Sequence, residues 1–210
     1  WLQISKFVKL HRNHRTARWA ISADELERLE KIVEQLSPRD KVVRSLPLFD
    51  DTHELDDQEE GESYQQTRER FDGLCQQAIA EIWEGERFEG VLRLAKASKN
   101  PGKVGYALGR AVGDAALPEI IPDLLTSPDG TIEAFANAFA YAVTRNRPFE
   151  WTKSQPTSSW TDAQIATWFL KLPLDKEIWE YIEQQFPHAY VEYWKRVPWW
   201  ADNELVNSDE

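Results

Sequence analysis

Two histidines near the start of the chain are the first residues whose type and spacing could support chemistry. His11 and His14 are three positions apart, so on a helix they share a face and could bind a metal ion. No acidic third ligand lies nearby in the sequence, and the neighbouring residues are basic and would repel a cation. We therefore expect an ordinary surface pair of histidines, with neither a metal site nor any other cofactor.

The same segment carries a cluster of cations that could contact nucleic-acid phosphates. Residues 1–19 hold basic side chains and no acid, and such clusters release counterions when they bind phosphates. Phe7 and Trp19 could stack on bases. Against this, the chain has a net charge of −11, unlike a dedicated nucleic-acid binder. The alternative is a solvated helix face, neutralised by the acids of residues 50–62. The candidate contacts are Lys6, Lys9, Arg12, Arg15 and Arg18.

A strongly acidic segment follows the first helices. Residues 50–62, DDTHELDDQEEGE, hold eight acids and no Lys or Arg. The acids could in principle bind Ca²⁺, but they do not follow the ligand order of a calcium-binding EF-hand, which needs a central Gly and a terminal Glu. Because like charges repel and little apolar area is present, the composition predicts a solvated linker or loop.

The remaining candidates for chemistry have structural interpretations. Cys75 lies on an apolar stripe with Leu74 and Ile79, which predicts a buried, inert thiol. Gly105 and Gly109 have no preceding strand and no suitably placed lysine, so they indicate close helix packing rather than a phosphate-binding loop. We predict no catalytic residues and no enzyme activity.

Aromatic residues are concentrated towards the end of the chain. Five of the ten tryptophans lie between residues 160 and 199, beside three tyrosines. Tryptophan at helical spacing usually belongs to a core, but aromatic residues beyond the needs of a core are typical of binding surfaces. We predict a protein-binding surface at this end. Its candidate residues are Tyr190, Trp194, Trp199 and Trp200.

The elements that must position these groups are all predicted to be helices. Apolar residues at helical spacing predict a first helix within residues 1–19. Ser22 and Glu25 form a capping box that starts an amphipathic helix ending at Ser37-Pro38. A shorter helix ends near Pro47, and a long helix follows the acidic segment.

Residues 117–143, LPEIIPDLLTSPDGTIEAFANAFAYAV, predict two apolar helices joined by a tight turn at Ser127–Gly130. Pro122 is expected to bend the first helix, and the alanines of the second allow another helix to approach closely. This pattern resembles a HEAT repeat over about 27 residues. The resemblance implies stacked helical hairpins that bind partners by shape and have no chemistry of their own.

Two neighbouring segments are looser copies of this hairpin. Their turns are Asn100-Pro101-Gly102 and Pro173-Leu174-Asp175, so the three turns are unevenly spaced. A stacked solenoid and an irregular bundle both fit, and we favour the solenoid because repeats need about three units for stability. The sequence therefore predicts an all-α fold: an irregular stack of antiparallel helical hairpins (a HEAT-like α-α superhelix) of about nine to eleven helices.

The last third of the chain has clear helix boundaries. Residues 144–159 are expected to form a polar connection carrying Trp151. Thr161 and Gln164 repeat the capping-box pattern, Asp175 should cap the next helix, and Pro187 should open the last one.

Composition and the ends of the chain limit the function further. No run of 18 or more apolar residues is present, so we expect no membrane span and no membrane partner. The single cysteine favours a reducing compartment, and we expect a cytoplasmic protein. The chain starts at Trp1 and has no methionine, so we expect it to be part of a longer protein. In style it resembles helical-repeat segments of large bacterial multidomain proteins.

The predicted organisation is an N-terminal helical subdomain with a basic first helix (1–49), an acidic linker or loop (50–62), a helical-repeat region (63–200) and a frayed tail (201–210). The predicted function is a non-catalytic scaffold or protein-interaction module within a larger protein, with an unidentified protein partner. The alternative is a helical module that contacts nucleic acid through the basic N-terminal segment.

Overall fold

The computed structural model describes residues 1–49, 62–145 and 147–197. In these ranges the protein is all-α, with eleven α-helices, four short 3-10 helices and no β-strand, which confirms the predicted fold class. The helices are α1 Leu2–Asn13, α2 Ala23–Leu36, α3 Lys41–Ser45, α4 Tyr64–Ala97, α5 Pro101–Ala111, α6 Leu117–Ile120, α7 Gly130–Thr144, α8 Phe149–Lys153, α9 Asp162–Phe169, α10 Lys176–Gln185 and α11 Pro187–Arg196.

Helix starts follow the capping signals of the sequence. The predicted capping boxes of Ser22 and Thr161 are both formed, and Ser63 makes a third at the start of α4. The Asp175 carboxylate accepts a hydrogen bond from the Glu177 backbone N–H, as predicted, and Asp129 caps α7 in the same way. These caps satisfy N–H groups that have no partner within the helix.

One continuous apolar core joins α3, α4, α5, α7, α9, α10 and α11. Its largest members are aromatic and have almost no contact with solvent, because each helix turns its apolar stripe towards the same interior. The largest fully buried aromatic side chains are Phe49, Phe71, Phe135, Phe139, Phe169, Trp168 and Tyr193. We refer to the helices from α4 to α11 as the helical body.

The closest packing in the helical body is between α5 and α7. Gly105 faces the backbone of Phe135, and a Cβ atom at this position would collide with the Phe135 carbonyl oxygen. A Cβ on Gly109 would lie 2.6 Å from the Ala142 Cβ. Gly109, further along α5 than Gly105, contacts residues further along α7, so the two helices run in the same direction. The prediction that both glycines serve close helix packing is therefore confirmed.

The long helix α4 changes direction near its end. Arg87 has φ 55° and ψ −148°, a backbone conformation that is sterically unfavourable for a residue with a side chain. The Arg87 guanidinium lies 5.4 Å from the centre of the Trp83 ring. The kink divides α4 into a longer first part and a shorter second part that leads to α5.

The helix predicted over residues 117–125 is interrupted. The short helix α6 ends at Ile120, Ile121 is extended, and Asp123–Thr126 forms a 3-10 helix. The Ile121-Pro122 peptide bond is cis. A residue before proline is biased away from the helical conformation, so the segment breaks at Ile121 where the sequence predicted only a bend.

The connection predicted over residues 144–159 contains a helix. Trp151 lies in α8, and its ring centre is 6.1 Å from that of Trp168. The Arg147 guanidinium also lies 4.5 Å from the Trp151 ring centre. The sequence did not predict this helix, because its five residues are too few to show a periodic pattern and lie among polar residues and prolines.

Candidate functional site

The first two helices form a hairpin with a small interior of its own. We call residues 1–36 the N-terminal hairpin. Val8 of α1 and Leu26 of α2 are buried, but neither belongs to the large core of the body. The Arg12 guanidinium donates hydrogen bonds of 3.1 and 2.5 Å to Glu30 Oε1, which tie α1 to α2.

His11 has a structural role in this hairpin. Its side chain is buried, with its ring centre 4.2 Å from that of Phe7 and 5.1 Å from that of Trp19. Its Nδ1 accepts a hydrogen bond from the Ile21 backbone N–H at 3.2 Å. The expectation of a surface pair is therefore wrong for His11, although His14 is exposed. The error arose because burial here depends on Trp19, beyond the end of α1.

A groove separates α1 from part of α2 and from the elements that follow the hairpin. It consists of two adjoining hollows of about 510 and 540 Å³ that share Trp1, Ser5, Lys9 and Arg44. We call it the α1 groove. The first hollow lies between α1 and the segment from Arg44 to Leu48, with Phe71 of α4. The second hollow lies between α1, α2, the connection formed by Ser37, Pro38 and Arg39, and Arg44 of α3.

The first hollow combines apolar walls with cations. Its apolar lining includes Leu2, Leu10, Pro47, Leu48 and Phe71, and the charged residues of its lining are all basic in the part of the chain that the structure describes. These charged residues are Lys6, Lys9 and Arg44.

The second hollow is more mixed in charge. Arg12 and Arg39 line it together with Glu30 and Glu34. An anionic group would therefore be attracted most strongly to the first hollow, where no carboxylate lies among the described lining residues.

The structure brings together only part of the basic cluster predicted to contact nucleic acid. Lys6 and Lys9 line the first hollow, and Arg12 lines the second while it pairs with Glu30. Arg15 and Arg18 lie after the end of α1, are exposed, and do not line either hollow.

The groove also contains residues that the sequence analysis did not select. Arg39 and Arg44 form a second basic group around α3, which was a visible signal in the sequence. Leu48 and Phe71 gave no such signal, because they join the groove only through the packing of segments far apart in the chain.

The predicted C-terminal aromatic surface is partly engaged in packing. Tyr190 and Trp194 are half-buried against the core, and the Trp194 ring centre lies 5.3 Å from that of Trp179. Trp179 Nε1 donates a hydrogen bond of 3.2 Å to the Tyr193 hydroxyl. Trp199 and Trp200 lie outside the described residues.

Two ionisable groups of the helical body are perturbed by burial. Burial raises the pKa of Tyr193, and the hydrogen bond from Trp179 partly opposes this shift. Burial lowers the pKa of Lys171 below its ordinary value of 10.5, with a smaller opposing effect from Glu133. Neither residue lies in the α1 groove, so we assign both effects to packing.

The described residues contain no group of three His, Cys, Asp or Glu side chains placed to hold a metal ion. Cys75 is buried, as predicted, and its thiol contacts the Leu48 carbonyl oxygen at 3.6 Å. The α1 groove therefore offers shape, apolar contact and positive charge, which are means of binding.

Comparisons with protein-family models, with curated proteins and with solved structures returned no match. Of the helices that the structure describes, none combines the length and the apolar character needed to cross a lipid bilayer.

Proposed function

We propose that this chain is a non-catalytic helical scaffold that binds another protein through the α1 groove. The observation that carries this proposal is the groove itself, a recess with apolar walls and basic side chains on a hairpin that buries little of its own apolar surface. Protein interfaces commonly combine an apolar centre with a polar rim. Leu10, at 47% exposure, lies in the groove and is available for such contact.

The distribution of exposed apolar side chains supports an interaction through the N-terminal part of the chain. Six of the ten large apolar residues that are exposed in the described chain lie within its first 49 residues, and Leu10 among them lines the groove. Apolar side chains left in water can be buried by a partner, which favours association. The six are Phe7, Leu10, Trp19, Ile32, Leu36 and Val43.

The helical body is proposed to act as a HEAT-like stack within a larger, bacterial multidomain protein. The same-direction packing of α5 and α7 supports this, because equivalent helices of successive stacked hairpins run parallel. The interrupted segment around Pro122 makes the stack irregular. The single, buried Cys75 supports the cytoplasmic location that we propose.

Site-specific photo-crosslinking in the native lysate tests the proposal. A photoreactive amino acid replaces Leu10 in the groove, with Tyr141 on α7 and Val191 on α11 as matched exposed sites. We expect position 10 to capture a protein, identified by mass spectrometry, after nuclease treatment. Capture at position 191 instead would assign the function to the surface around Tyr190 and Trp194. Capture at none of the three positions would contradict the interaction function.

A second candidate function is contact with nucleic acid through the basic segment. Lys6, Arg15 and Arg18 are exposed and have no ion-pair partner among the described residues, which favours this alternative. Such binding would weaken steeply with salt as counterions are released. Reversal of the charges of Lys6, Lys9, Arg12, Arg15 and Arg18 should abolish it. Absence of binding to a single-stranded or double-stranded oligonucleotide at low salt would exclude this function.

A further inference from the structure

We propose that the occupant of the α1 groove is a short peptide segment that carries carboxylates beside large aliphatic side chains. This inference rests on the protein-interaction function proposed above and adds the chemistry of the partner. It follows from the lining of the first hollow, from the charge of the surrounding chain, and from the carboxylates of the second hollow.

The apolar part of the proposed peptide contact is made by aliphatic side chains and an aromatic ring. Leu2 and Leu10 of α1 face Pro47, Leu48 and Phe71 across the first hollow. Phe71 is almost fully buried, so it forms the base of the hollow, whereas Leu10 is half exposed at its side. A Leu or Ile side chain entering this space would remove apolar surface from water on both sides, which is the main favourable contribution to such contacts.

The charged part comes from three basic residues. Lys6 is exposed and has no ion-pair partner among the described residues, and Lys9 lies one helical turn further along α1. Arg44 approaches from the opposite side, and its guanidinium also lies 3.4 Å from a Glu81 carboxylate oxygen. The Lys103 ammonium lies 4.2 Å from the centre of the Phe71 ring and adds positive charge near the base.

The charge of the chain makes this recess selective. The protein carries a net charge of −11, so a hollow whose described charged lining residues are all basic differs from the average of the chain. Electrostatic complementarity of this kind steers association and rejects partners of the wrong sign. Carboxylates of a bound segment would lie close to Lys6, Lys9 and Arg44. Cationic groups of a partner would instead be attracted to acidic parts of the surface.

The lining favours a peptide over a nucleic acid. Nucleic acids stack their bases on exposed aromatic side chains along a basic track. Of the two aromatic residues that line the first hollow, Phe71 is almost fully buried, which leaves Trp1 beside four aliphatic residues. A phosphate backbone that continued into the second hollow would meet Glu30 and Glu34. The size of the first hollow, about 510 Å³, lies within the range of ligand-binding recesses and has room for a few side chains.

Fluorescence anisotropy with the full chain and defined probes tests this inference. The main probe is a labelled synthetic peptide of about twelve residues built from repeated Leu-Asp-Glu units, a length typical of peptide motifs that dock in grooves. One control peptide has Ser in place of Leu, and a second has Asn and Gln in place of the acids. A single-stranded oligothymidine of similar length serves as the third probe.

We expect the main probe to bind at least about tenfold more tightly than any control, which corresponds to about 1.4 kcal/mol. The double variant Lys6→Glu/Lys9→Glu should lose at least about tenfold in affinity for this probe, and Leu10→Ser should weaken it through the apolar contact alone. The matched control, Lys176→Glu/Lys195→Glu, changes two exposed lysines on α10 and α11 and should bind as the natural chain does. Circular dichroism should show the same helical content for all variants.

Three results would overturn the inference. Equal affinity for the main probe and the Ser control would mean that charge alone attracts the peptide. Tighter binding of oligothymidine would assign the groove to nucleic acid. Capture of a protein by the crosslinker at position 10, together with no binding of the main probe, would refute the peptide chemistry while the interaction function stands. Failure of both experiments would refute both proposals.

Discussion

The N-terminal hairpin and the helical body bury their apolar residues to very different extents. The hairpin leaves Phe7, Leu10, Trp19, Ile32 and Leu36 exposed. Its buried apolar side chains, Val8 and Leu26, are outside the large core. In the helical body, by contrast, aromatic side chains from several helices are fully enclosed in one continuous core.

This difference separates a region that maintains the fold from a region that is available for binding. The apolar stripes of α5 and α7 pack against each other and that of α9 packs against α11, so they can contribute little to a partner. The hairpin retains exposed apolar side chains, and its basic side chains Lys6 and Lys9 lie beside a groove. Local stability follows the density of buried contacts, so we expect the hairpin to open more easily than the body.

The largest loss of stability is expected from a substitution that leaves a cavity in the core of the helical body. Phe139→Ala removes a fully buried ring and should lower the free energy of unfolding by about 3–5 kcal/mol. Leu26→Ala removes a buried side chain of the hairpin and should change global unfolding by less than about 1 kcal/mol, because the hairpin opens separately. Urea denaturation followed by circular dichroism measures both. Similar losses for the two variants would mean that hairpin and body unfold as one unit.

The contact of α5 with α7 should also be sensitive to a single methyl group. Gly105→Ala places a Cβ atom against the Phe135 backbone, which cannot move as a flexible side chain would. We expect a loss of about 3 kcal/mol, at the upper end of the usual effect of overpacking.

Gly73→Ala is the matched control for this variant. Gly73 lies in α4 with no atom within 4 Å of the added Cβ, so the variant should gain up to about 1 kcal/mol from helix propensity. Thermal denaturation distinguishes the pair. A Gly105→Ala variant as stable as the natural chain would contradict the described approach of the two helices.

The kink of α4 provides a smaller test within the body. Arg87→Gly should raise the free energy of unfolding by about 1 kcal/mol, because glycine adopts the positive φ of this position without strain. Arg68→Gly in the regular part of the same helix should lower it by about 1 kcal/mol. Equilibrium unfolding in guanidinium chloride compares the two. A loss of stability in both variants would show that the backbone at Arg87 is helical in solution.

The smallest expected effect is a pH dependence from Lys171. Because burial lowers its pKa in the folded state, the unfolded chain binds more protons between that lowered value and 10.5. Stability therefore rises with pH across this window and is reduced below it. Lys171→Met should be more stable than the natural chain at pH 7, and the difference should shrink as the pH approaches 10.5.

The control is Lys176→Met, since the Lys176 side chain is 83% exposed. This variant should show no comparable change in urea denaturation between neutral and alkaline pH. A stability difference for Lys171→Met that does not vary with pH would contradict the role of burial.

Local features of the fold could be predicted from the sequence because their causes are local. Ser22, Thr161 and Asp175 cap helices through hydrogen bonds to residues two or three positions away, so a short sequence pattern is sufficient. The buried position of Cys75 and the close-packing role of Gly105 also followed from residue type and helical spacing.

Features that depend on distant segments could not be predicted in this way. The burial of His11 requires the return of Trp19 and Ile21 onto α1. The α1 groove requires Leu48 and Phe71 to meet α1 across a large separation in the sequence. The basic residues of α1 were predicted as a candidate site, but the apolar residues Leu48 and Phe71 beside them could be identified only in the structure.

Amide hydrogen exchange of the full chain, resolved to individual helices by mass spectrometry, tests the central contrast most directly. We predict that α1 and α2 exchange through local opening, at least about tenfold faster than α5 and α7 relative to their unfolded rates, because an opening free energy lower by about 1.4 kcal/mol gives that ratio. The helices α5 and α7 should exchange only with global unfolding. Equal protection of α1, α2, α5 and α7 would contradict the account, since the hairpin would then be as firmly anchored as the body.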